Sequence, residues 1–448
     1  MLIRLIVDNF LSFENETEIT MLPSNKTTKK LEHKVKVKST PLLKYSVIYG
    51  ANAAGKSNLI EAFDFIKYCV NKAIPIDSSS MFCRTSKENA NRVSSFEIQF
   101  TVGKRFYSYG FSLLLSTRSI QSEWLYELFQ KGSSKMLFEW EYNQTPKVGI
   151  TLNDFDKARM ETYLSDFDKK SDMLFLTTMN RGKRYTTGSK LFFFKEVYDW
   201  LNNNLTVCTP QTSLTSFEYY YDEASLLVIN ELIKTFDTGI TEVGITEISI
   251  EELRQELPPE IFDDVMEDIR KKAEEEGFKS IRASMRSYNS FFNIEMKKGE
   301  DIRISTIKLK HGNSEYNYKF KEESDGTRRL FELLDMLLNK GEYKVYVVDE
   351  MERSLHPKLT EQFIKLFDKL HLNQNMQLIF TTHEASIMDQ QLFRRDEIWF
   401  VERDKDNASH VYSLDKFKER YDKKLSKAYL EGRYGAIPVF GSFSFKEE

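Results

Sequence analysis

The sequence predicts an α/β fold, a mixed or parallel sheet with an antiparallel β layer beside it and a mostly helical insertion. Three stretches carry the sheet prediction. Each is a short apolar run of the kind a strand buried on both faces shows, and each ends on residues suited to phosphate or metal. Tyr45-Ser46-Val47-Ile48-Tyr49 runs into Gly50-Ala51-Asn52-Ala53-Ala54-Gly55-Lys56-Ser57. Val345-Tyr346-Val347-Val348 runs into Asp349-Glu350, and Met376-Gln377-Leu378-Ile379-Phe380 runs into Thr381-Thr382-His383. Ligands of open α/β sheets bind beyond the carboxyl ends of the strands, so three such ends point to one site.

The first stretch matches G-x-x-x-x-G-K-[ST] in the context that motif requires, a strand before it and the helix-like Asn58-Leu59-Ile60-Glu61-Ala62-Phe63 after it. Gly50 and Gly55 let the backbone curl so that its N–H groups face phosphate oxygens, and the helix N-terminus adds partial positive charge. The candidate nucleotide-binding residues are therefore Gly50, Asn52, Ala53, Ala54, Gly55, Lys56, Ser57 and Asn58. Lys56 is placed to reach the β- and γ-phosphates, and Ser57 to give its hydroxyl to Mg²⁺. The bland alternative, a glycine-rich turn with an incidental lysine, does not account for both flanks.

Two adjacent carboxylates at the end of a buried strand are costly unless something positive sits there. Asp349 is the candidate metal ligand with Ser57, holding Mg²⁺ directly or through water, and Glu350 the candidate for positioning an attacking water. The alternative is a strand that stops at a solvated acidic turn. His383 falls one strand later, where a γ-phosphate contact would be useful; the alternative is a structural histidine. Upstream of the acid pair, Ser324-Asp325-Gly326-Thr327 is a polar turn. It opens a run with helical apolar spacing: Leu330, Phe331, Leu333, Leu334, Met336 and Leu337.

Taken in order, the motif at 50–57, then SDGTRRL, VVDE, SLHP and FTTH, the chain resembles an ATP-binding-cassette (ABC) ATPase head of the SMC and RecF type, and within it the bacterial AAA15 ATPases. The resemblance covers the two ends of the chain better than the middle. It implies that Ser324 and Gly326 form the signature, which contacts the γ-phosphate of ATP held by a second subunit. It also implies that Glu350 is the hydrolytic glutamate, 352–357 the D-loop and His383 the switch histidine. Lys56, Glu350 and His383 are then the catalytic set, with ATP and Mg²⁺ as cofactors. The expected assembly is a homodimer of heads or a higher homo-oligomer. AAA15 halves of anti-phage operons are paired with a separate effector protein, a nuclease or toxin, which the resemblance adds as a partner. One departure stands out. The family's Q-loop glutamine has no clear counterpart: Gln99 lies on a strand, Gln121 and Gln130 have no support, and the apolar run Met173-Leu174-Phe175-Leu176 has no glutamine.

The chain divides, on this reading, into 1–185 (N-terminal half of the head with the antiparallel layer), 186–292 (helical insertion for oligomerisation or partner docking) and 293–448 (C-terminal half). Residues 1–23 read as strand, turn, strand. Their Asn9-Phe10-Leu11-Ser12-Phe13 resembles the ribbon that leads to the nucleotide pocket in RecF- and SMC-type heads. Residues 24–38 carry six lysines, a solvated loop or a nucleic-acid-facing one. A hairpin is expected about Gly103-Lys104, with further strands at 122–126 and 136–140. Helices are expected at 191–202, 218–236 and 251–276, the last interrupted by Pro258-Pro259. Their heptads are not sustained, which excludes long coiled-coil arms. Strands return over 293–319 and 396–402. Asp404-Lys405-Asp406 has metal-site spacing, but its surroundings read as a hairpin turn.

A net charge of −4 over 448 residues does not advertise a nucleic-acid binder, though it leaves room for a local basic patch. Cys69, Cys83 and Cys208 lack metal spacing and read as reduced thiols of a cytoplasmic protein. No apolar run reaches the length of a membrane span, and Met1-Leu2-Ile3-Arg4 lacks a signal-peptide pattern. The function expected is an ATP-driven switch subunit of an abortive-infection system that controls an effector. The alternatives are a RecF/SMC-like DNA-repair ATPase, with DNA as partner, and a nucleotide-binding module without turnover. Intact Asp349, Glu350 and His383 argue against the last.

Overall fold

A computed structural model describes residues 1–129, 132–167, 172–210, 218–274, 278–286, 290–418 and 424–438; Gln130 lies outside them. The N-terminal elements are β1 (Leu2–Asp8), β2 (Thr17–Thr20), β3 (Lys34–Val37), β4 (Thr40–Leu43), β5 (Tyr45–Tyr49), α1 (Lys56–Asn71), β6 (Ser94–Val102), β7 (Arg105–Leu114), β8 (Ser119–Leu128), β9 (Ser134–Glu141) and β10 (Lys147–Val148). Then come α2 (Asp154–Asp166), α3 (Phe175–Asn180), α4 (Phe192–Asp199), β11 (Leu205–Cys208), α5 (Glu223–Ile233), β12 (Ile240–Ile248), α6 (Ile250–Glu256), α7 (Pro259–Ala273), β13 (Ser280–Arg286), β14 (Phe291–Lys297), β15 (Arg303–His311) and β16 (Tyr318–Lys319). The C-terminal part adds α8 (Asp325–Leu338), β17 (Val345–Val348), α9 (Pro357–Leu370), β18 (Gln377–Thr381), β19 (Ile398–Arg403), β20 (Ser409–Ser413) and α10 (Leu425–Leu430).

These elements form two units. The first comprises Met1–Thr212, Gly341–Met351 and His371–Glu448; the second comprises Ser213–Lys340 and Glu352–Leu370.

The first unit holds a six-stranded sheet in the order β11-β17-β18-β5-β19-β20. Its strands are parallel except for β20, which returns antiparallel beside β19. β5, β17 and β18 are buried along their whole length, which is why their sequences read as continuous apolar runs rather than alternations. A seven-stranded antiparallel sheet accompanies it in the order β10-β9-β8-β7-β6-β1-β2. Gly103, at φ +54°, makes the predicted turn between β6 and β7. The inward residues Phe96, Ile98 and Phe100 of β6 share a core with Phe63, Phe65 and Ile66 of α1. Phe100 stacks on Trp200, ring centroids 4.0 Å apart.

One polar residue in an otherwise apolar strand has a structural reason. Gln377, fully buried on β18, accepts from the N–H of Leu2 (2.6 Å) and donates to the carbonyls of Leu2 (3.0 Å) and Leu43 (2.9 Å). It satisfies backbone groups where β1 and β4 come against β18, groups that would otherwise be buried without partners.

The lysine-rich stretch keeps Lys26, Lys29, Lys36 and Lys38 exposed, while its backbone is tied down from the C-terminal part. Arg394, fully buried, grips both oxygens of Asp396 and donates to the carbonyls of Thr27, Lys29 and Lys30, while His33 bonds Glu397 at 2.9 Å. Beyond it the β3–β4 hairpin alternates, with Lys36 exposed and Val37 buried.

A second buried acid, Glu123 on β8, caps α3. Its carboxylate accepts from the N–H of Phe175 (2.6 Å), the N–H of Leu176 (2.9 Å) and the hydroxyl of Tyr109 (3.0 Å). Burial outweighs these three donors and pushes the Glu123 carboxyl up from its ordinary 4.5 to about 7. A carboxyl that binds its proton more tightly when folded contributes stability below its unfolded pKa and loses it as pH rises through the folded one. Stability should therefore fall between about pH 4.5 and 7, by roughly 3 kcal/mol at most from this group. Glu123→Gln, which cannot ionise, should flatten that part of the curve in urea unfolding followed by circular dichroism.

The second unit is built on an antiparallel sheet in the order β12-β15-β14-β13, with β16 paired to β15. Leu253 and Leu257, with Phe262, Met266 and Ile269 of α7, bury against Phe292, Ile294 and Ile304 of the sheet. Within 186–292 the pattern expected mostly helices; among the described residues α4, α5, α6 and α7 are joined by β11, β12, β13 and the start of β14. β11 is too short to show a period, and β12 (ITEVGITEI) mixes its apolar and polar residues so that neither period stands out. The helix expected over 251–276 is broken at Pro258-Pro259, where the sequence placed the interruption. Leu257 and Pro258 are extended, because the residue before a proline is driven out of the α region, and Pro259 starts α7 where its missing N–H costs nothing.

Candidate functional site

The site is assembled at the carboxyl ends of three adjacent strands, β17, β18 and β5. The loop from Gly50 to Gly55 leaves β5 and delivers the chain into α1, which begins at Lys56. Ala53 sits at φ +60° and Gly55 at φ +109°, the turn that aims successive N–H groups into one concavity. Both glycines are dictated by space. A Cβ on Gly50 would meet the Val401 carbonyl at 2.4 Å, and one on Gly55 would meet the hydroxyls of Ser409 at 2.3 Å and Ser12 at 2.7 Å.

Lys56 is buried, and its ammonium curls over the loop. Nζ donates to the carbonyls of Gly50 (2.9 Å) and Ala51 (3.0 Å) and stands 3.4 Å from His383 Nδ1. The structure thus brings together Lys56 and His383, two candidate residues far apart in the chain. Asn52, Ala53, Ser57 and His383 are exposed, whereas Ala54 and Gly55 are buried. Asn58 is turned to support the loop, its Nδ2 donating to Ser12 Oγ at 2.7 Å.

Asp349 follows β17 and is almost fully buried. Its N–H bonds the Cys208 carbonyl at 2.8 Å, and its Oδ1 accepts from Thr381 Oγ1 at 2.6 Å. Glu350 is half-buried at φ +48°, a left-handed conformation rare for a glutamate. Its N–H bonds Thr381 Oγ1 at 2.8 Å. The donor set fits a nucleotide with Mg²⁺. The loop N–H groups, Lys56 and the start of α1 would hold phosphates. The Ser57 hydroxyl and Asp349 carboxylate are hard oxygen ligands for Mg²⁺, which takes its remaining positions from phosphate and water.

Ser324 and Gly326 lie in the second unit. Ser324 is exposed and caps α8, its Oγ accepting from the N–H of Thr327 at 3.1 Å. Gly326 is required because a Cβ there would meet the Ser354 carbonyl at 2.5 Å, so the start of α8 lies directly against the 352–357 turn. Just upstream, His311 holds Glu323 at 2.6 Å.

Sequence reasoning missed two supports. Ser409, at the start of β20, donates its one hydroxyl proton to the Ala54 carbonyl (2.6 Å) and lies 2.7 Å from Ser12 Oγ, from whose hydroxyl it can accept, buttressing the loop from a residue nearly at the other end of the chain. Only Ser12 carried a signal, in the Asn-Phe-x-Ser-Phe ribbon. Thr381 is the other. Gln99 and Gln121 bond neighbours on their own strands, Glu97 and Ser119. The run at Met173–Leu176 leads into the short helix α3 instead. Asp404 closes a hairpin turn, its Oδ1 accepting from the N–H groups of Asp406 and Ala408 and its Oδ2 facing His410.

Gly55→Ala should abolish nucleotide binding, because the methyl can be accommodated only by displacing Ser409 and Ser12 in a backbone conformation closed to alanine. Calorimetric titration with ATP checks this, and the unliganded variant should melt several degrees lower.

Strand order, antiparallel layer and loop geometry define an ABC-type P-loop ATPase head. The family described as "AAA domain, putative AbiEii toxin, Type IV TA system" matches residues 46–146 and 217–389, more than half of the sequence, and the chain belongs to that family. No curated protein sequence matches it. Among solved structures it is similar to an SMC head bound to the C-terminal winged-helix domain of ScpA, at 14% identity and a TM-score of 0.39, over 93% of this chain and 99% of that one. The SMC head domain from Thermotoga maritima gives 12% identity and 0.33, over 92% and 98%. An SMC head with an extended coiled coil bound to the C-terminal domain of ScpA from Pyrococcus furiosus gives 13% and 0.36, over 96% and 99%. Among the described residues no helix is long and apolar enough to cross a membrane.

Proposed function

We propose that the chain is an ATP-hydrolysing switch whose heads close around ATP and Mg²⁺ and so control a separate effector. The observation that carries this is the convergence of Lys56, Asp349, Glu350 and His383 at the ends of three neighbouring parallel strands. Lys56 and the loop bind and orient the phosphates. Ser57 and Asp349 hold Mg²⁺, which supplies charge neutralisation on the phosphates. Glu350 orients the attacking water and takes its proton, and His383 faces the γ-phosphate.

A phosphate loop alone binds weakly in water. Two heads meeting head-to-tail would bury each ATP between Lys56 of one chain and Ser324 of the other, where fixed donors act in a site closed to water. ATP then joins the heads, and hydrolysis releases them. AAA15-type identity, a role in anti-phage defence, a nuclease or toxin as effector and a cytoplasmic location belong to this same reading, supported by membership of a toxin–antitoxin-associated family and by the motif order. Of the expected division, 1–185 and 293–448 would build the head together with β11, and the rest of 186–292 would serve oligomerisation or partner docking. Co-expression with the product of the neighbouring gene tests it. A complex that survives gel filtration, with effector activity that changes on adding ATP, is the expected result; two proteins that elute apart and do not alter each other's activity would refute it.

A second reading, a DNA-binding RecF/SMC-like ATPase, draws on the lysines of 26–38, of which Lys36 stands exposed on β3. It requires ATP-dependent binding to duplex DNA that weakens steeply from 50 to 200 mM salt, since each neutralised phosphate releases counterions.

A further inference from the structure

We propose that Thr381 is a positioning residue for hydrolysis, one hydroxyl that locks the metal carboxylate and the hydrolytic glutamate into a single arrangement. The proposal rests on the roles given above to Asp349 and Glu350. Thr381 is the last residue of β18 and is fully buried. Its Oγ1 lies 2.6 Å from Asp349 Oδ1 and 2.8 Å from the N–H of Glu350. Its own carbonyl accepts from the N–H of Met351 at 3.1 Å. One residue thus contacts three successive residues after β17.

The direction of both hydroxyl bonds is forced by chemistry. A backbone N–H can only donate, so the hydroxyl oxygen accepts from Glu350. An ionised carboxylate can only accept, so the single hydroxyl proton goes to Asp349. The hydroxyl therefore holds the Asp349 carboxylate in one orientation while pinning the Glu350 backbone in its left-handed turn. Glutamate avoids that conformation when free, and it persists where the surroundings over-determine it. Here the over-determination is the pair of bonds from Thr381 to Glu350 and Met351. The orientation of the Asp349 carboxylate and the backbone from which the Glu350 side chain projects are therefore fixed by the same hydroxyl. Serine would supply the same hydroxyl; valine would keep the shape and supply none.

The test uses the full-length chain with Thr381→Val, Thr381→Ser and Thr381→Cys. Mg²⁺ is titrated at saturating ATP to follow turnover, and ATP binding is measured by calorimetry with Mg²⁺ and with EDTA. Loss of an outer-shell partner commonly costs about 10–100-fold in metal affinity or activity. Thr381→Val is expected to lower kcat and raise the half-saturating Mg²⁺ by factors in that range, with KM for ATP and metal-free ATP affinity unchanged. Thr381→Ser should restore both, and Thr381→Cys, whose thiol is a weak donor, should fall between. That order keeps the test open if the valine variant does not fold. A valine variant with wild-type kcat and Mg²⁺ dependence overturns the proposal. So does a serine variant as impaired as valine, which would assign the effect to packing of the methyl group. If wild type binds ATP·Mg²⁺ without turnover, the hydrolysis reading fails on its own, and the Mg²⁺ dependence of ATP affinity in the valine variant still decides the role of Thr381.

Discussion

Glu350→Gln should bind ATP·Mg²⁺ like wild type and hydrolyse it slower by about 10²–10⁴-fold, the range a positioned general base supplies. The substitution is close to isosteric. It preserves the backbone N–H that bonds Thr381 and leaves Asp349, Ser57 and Lys56 untouched. What it removes is the ability to accept a proton from water. Because binding survives and hydrolysis does not, the variant should accumulate the closed state. Light scattering with and without ATP·Mg²⁺ reads this as a rise in mass. A large assembly already present without nucleotide would mean that contacts elsewhere in the chain build the oligomer and ATP only reshapes it. Normal hydrolysis by the variant would remove Glu350 from its proposed role.

The proposed catalytic core could be assembled from the sequence because its parts are local. A phosphate loop needs its glycines, lysine and hydroxyl within a few residues, and strands buried on both faces announce themselves as apolar runs. Lys56, Asp349, Glu350 and His383 could be named for that reason, and the sheet places them at neighbouring strand ends. The supports of the site were not legible. Ser409 reaches the loop from β20, and Thr381 reaches across from β18 to the end of β17; each is one small polar residue whose meaning lies in a tertiary contact. Gln377, a polar residue within an apolar run, satisfies the backbone of β1 and β4 through contacts that its sequence neighbours do not reveal. The middle of the chain was half-read for a different reason. Helical spacing marked α4 to α7 correctly, whereas β11, of four residues, is below the length at which any period can be seen. The signature role proposed for Ser324 and Gly326 rests on resemblance alone. Nothing in the spacing of Ser324 and Gly326 says that they serve a nucleotide on another molecule.

The proposed trans arrangement has a consequence that a single chain cannot imitate. Lys56→Ala removes the phosphate-binding cation of its own chain. Ser324→Arg places bulk and charge where the partner's γ-phosphate would sit, at the modest cost of losing the α8 cap, about 1 kcal/mol. Each variant alone should be nearly inactive, since every composite site in either homodimer lacks one half. Mixed together they should recover. A mixed pair pairs the Lys56 of the arginine variant with the Ser324 of the alanine variant, making one intact site, while its other site is doubly defective. With random two-fold pairing of equal amounts, about a quarter of all sites are whole, and the mixture should show that share of wild-type turnover if sites act independently. Titrating wild type with Lys56→Ala calibrates the independence, because those mixed pairs also contain one whole site. If wild type retains activity in such pairs and the two variants still fail to rescue one another, Ser324 acts on its own chain's nucleotide or on none. Recovery at the calibrated level would instead require each ATP to be held by two molecules, which is what allows hydrolysis to separate them.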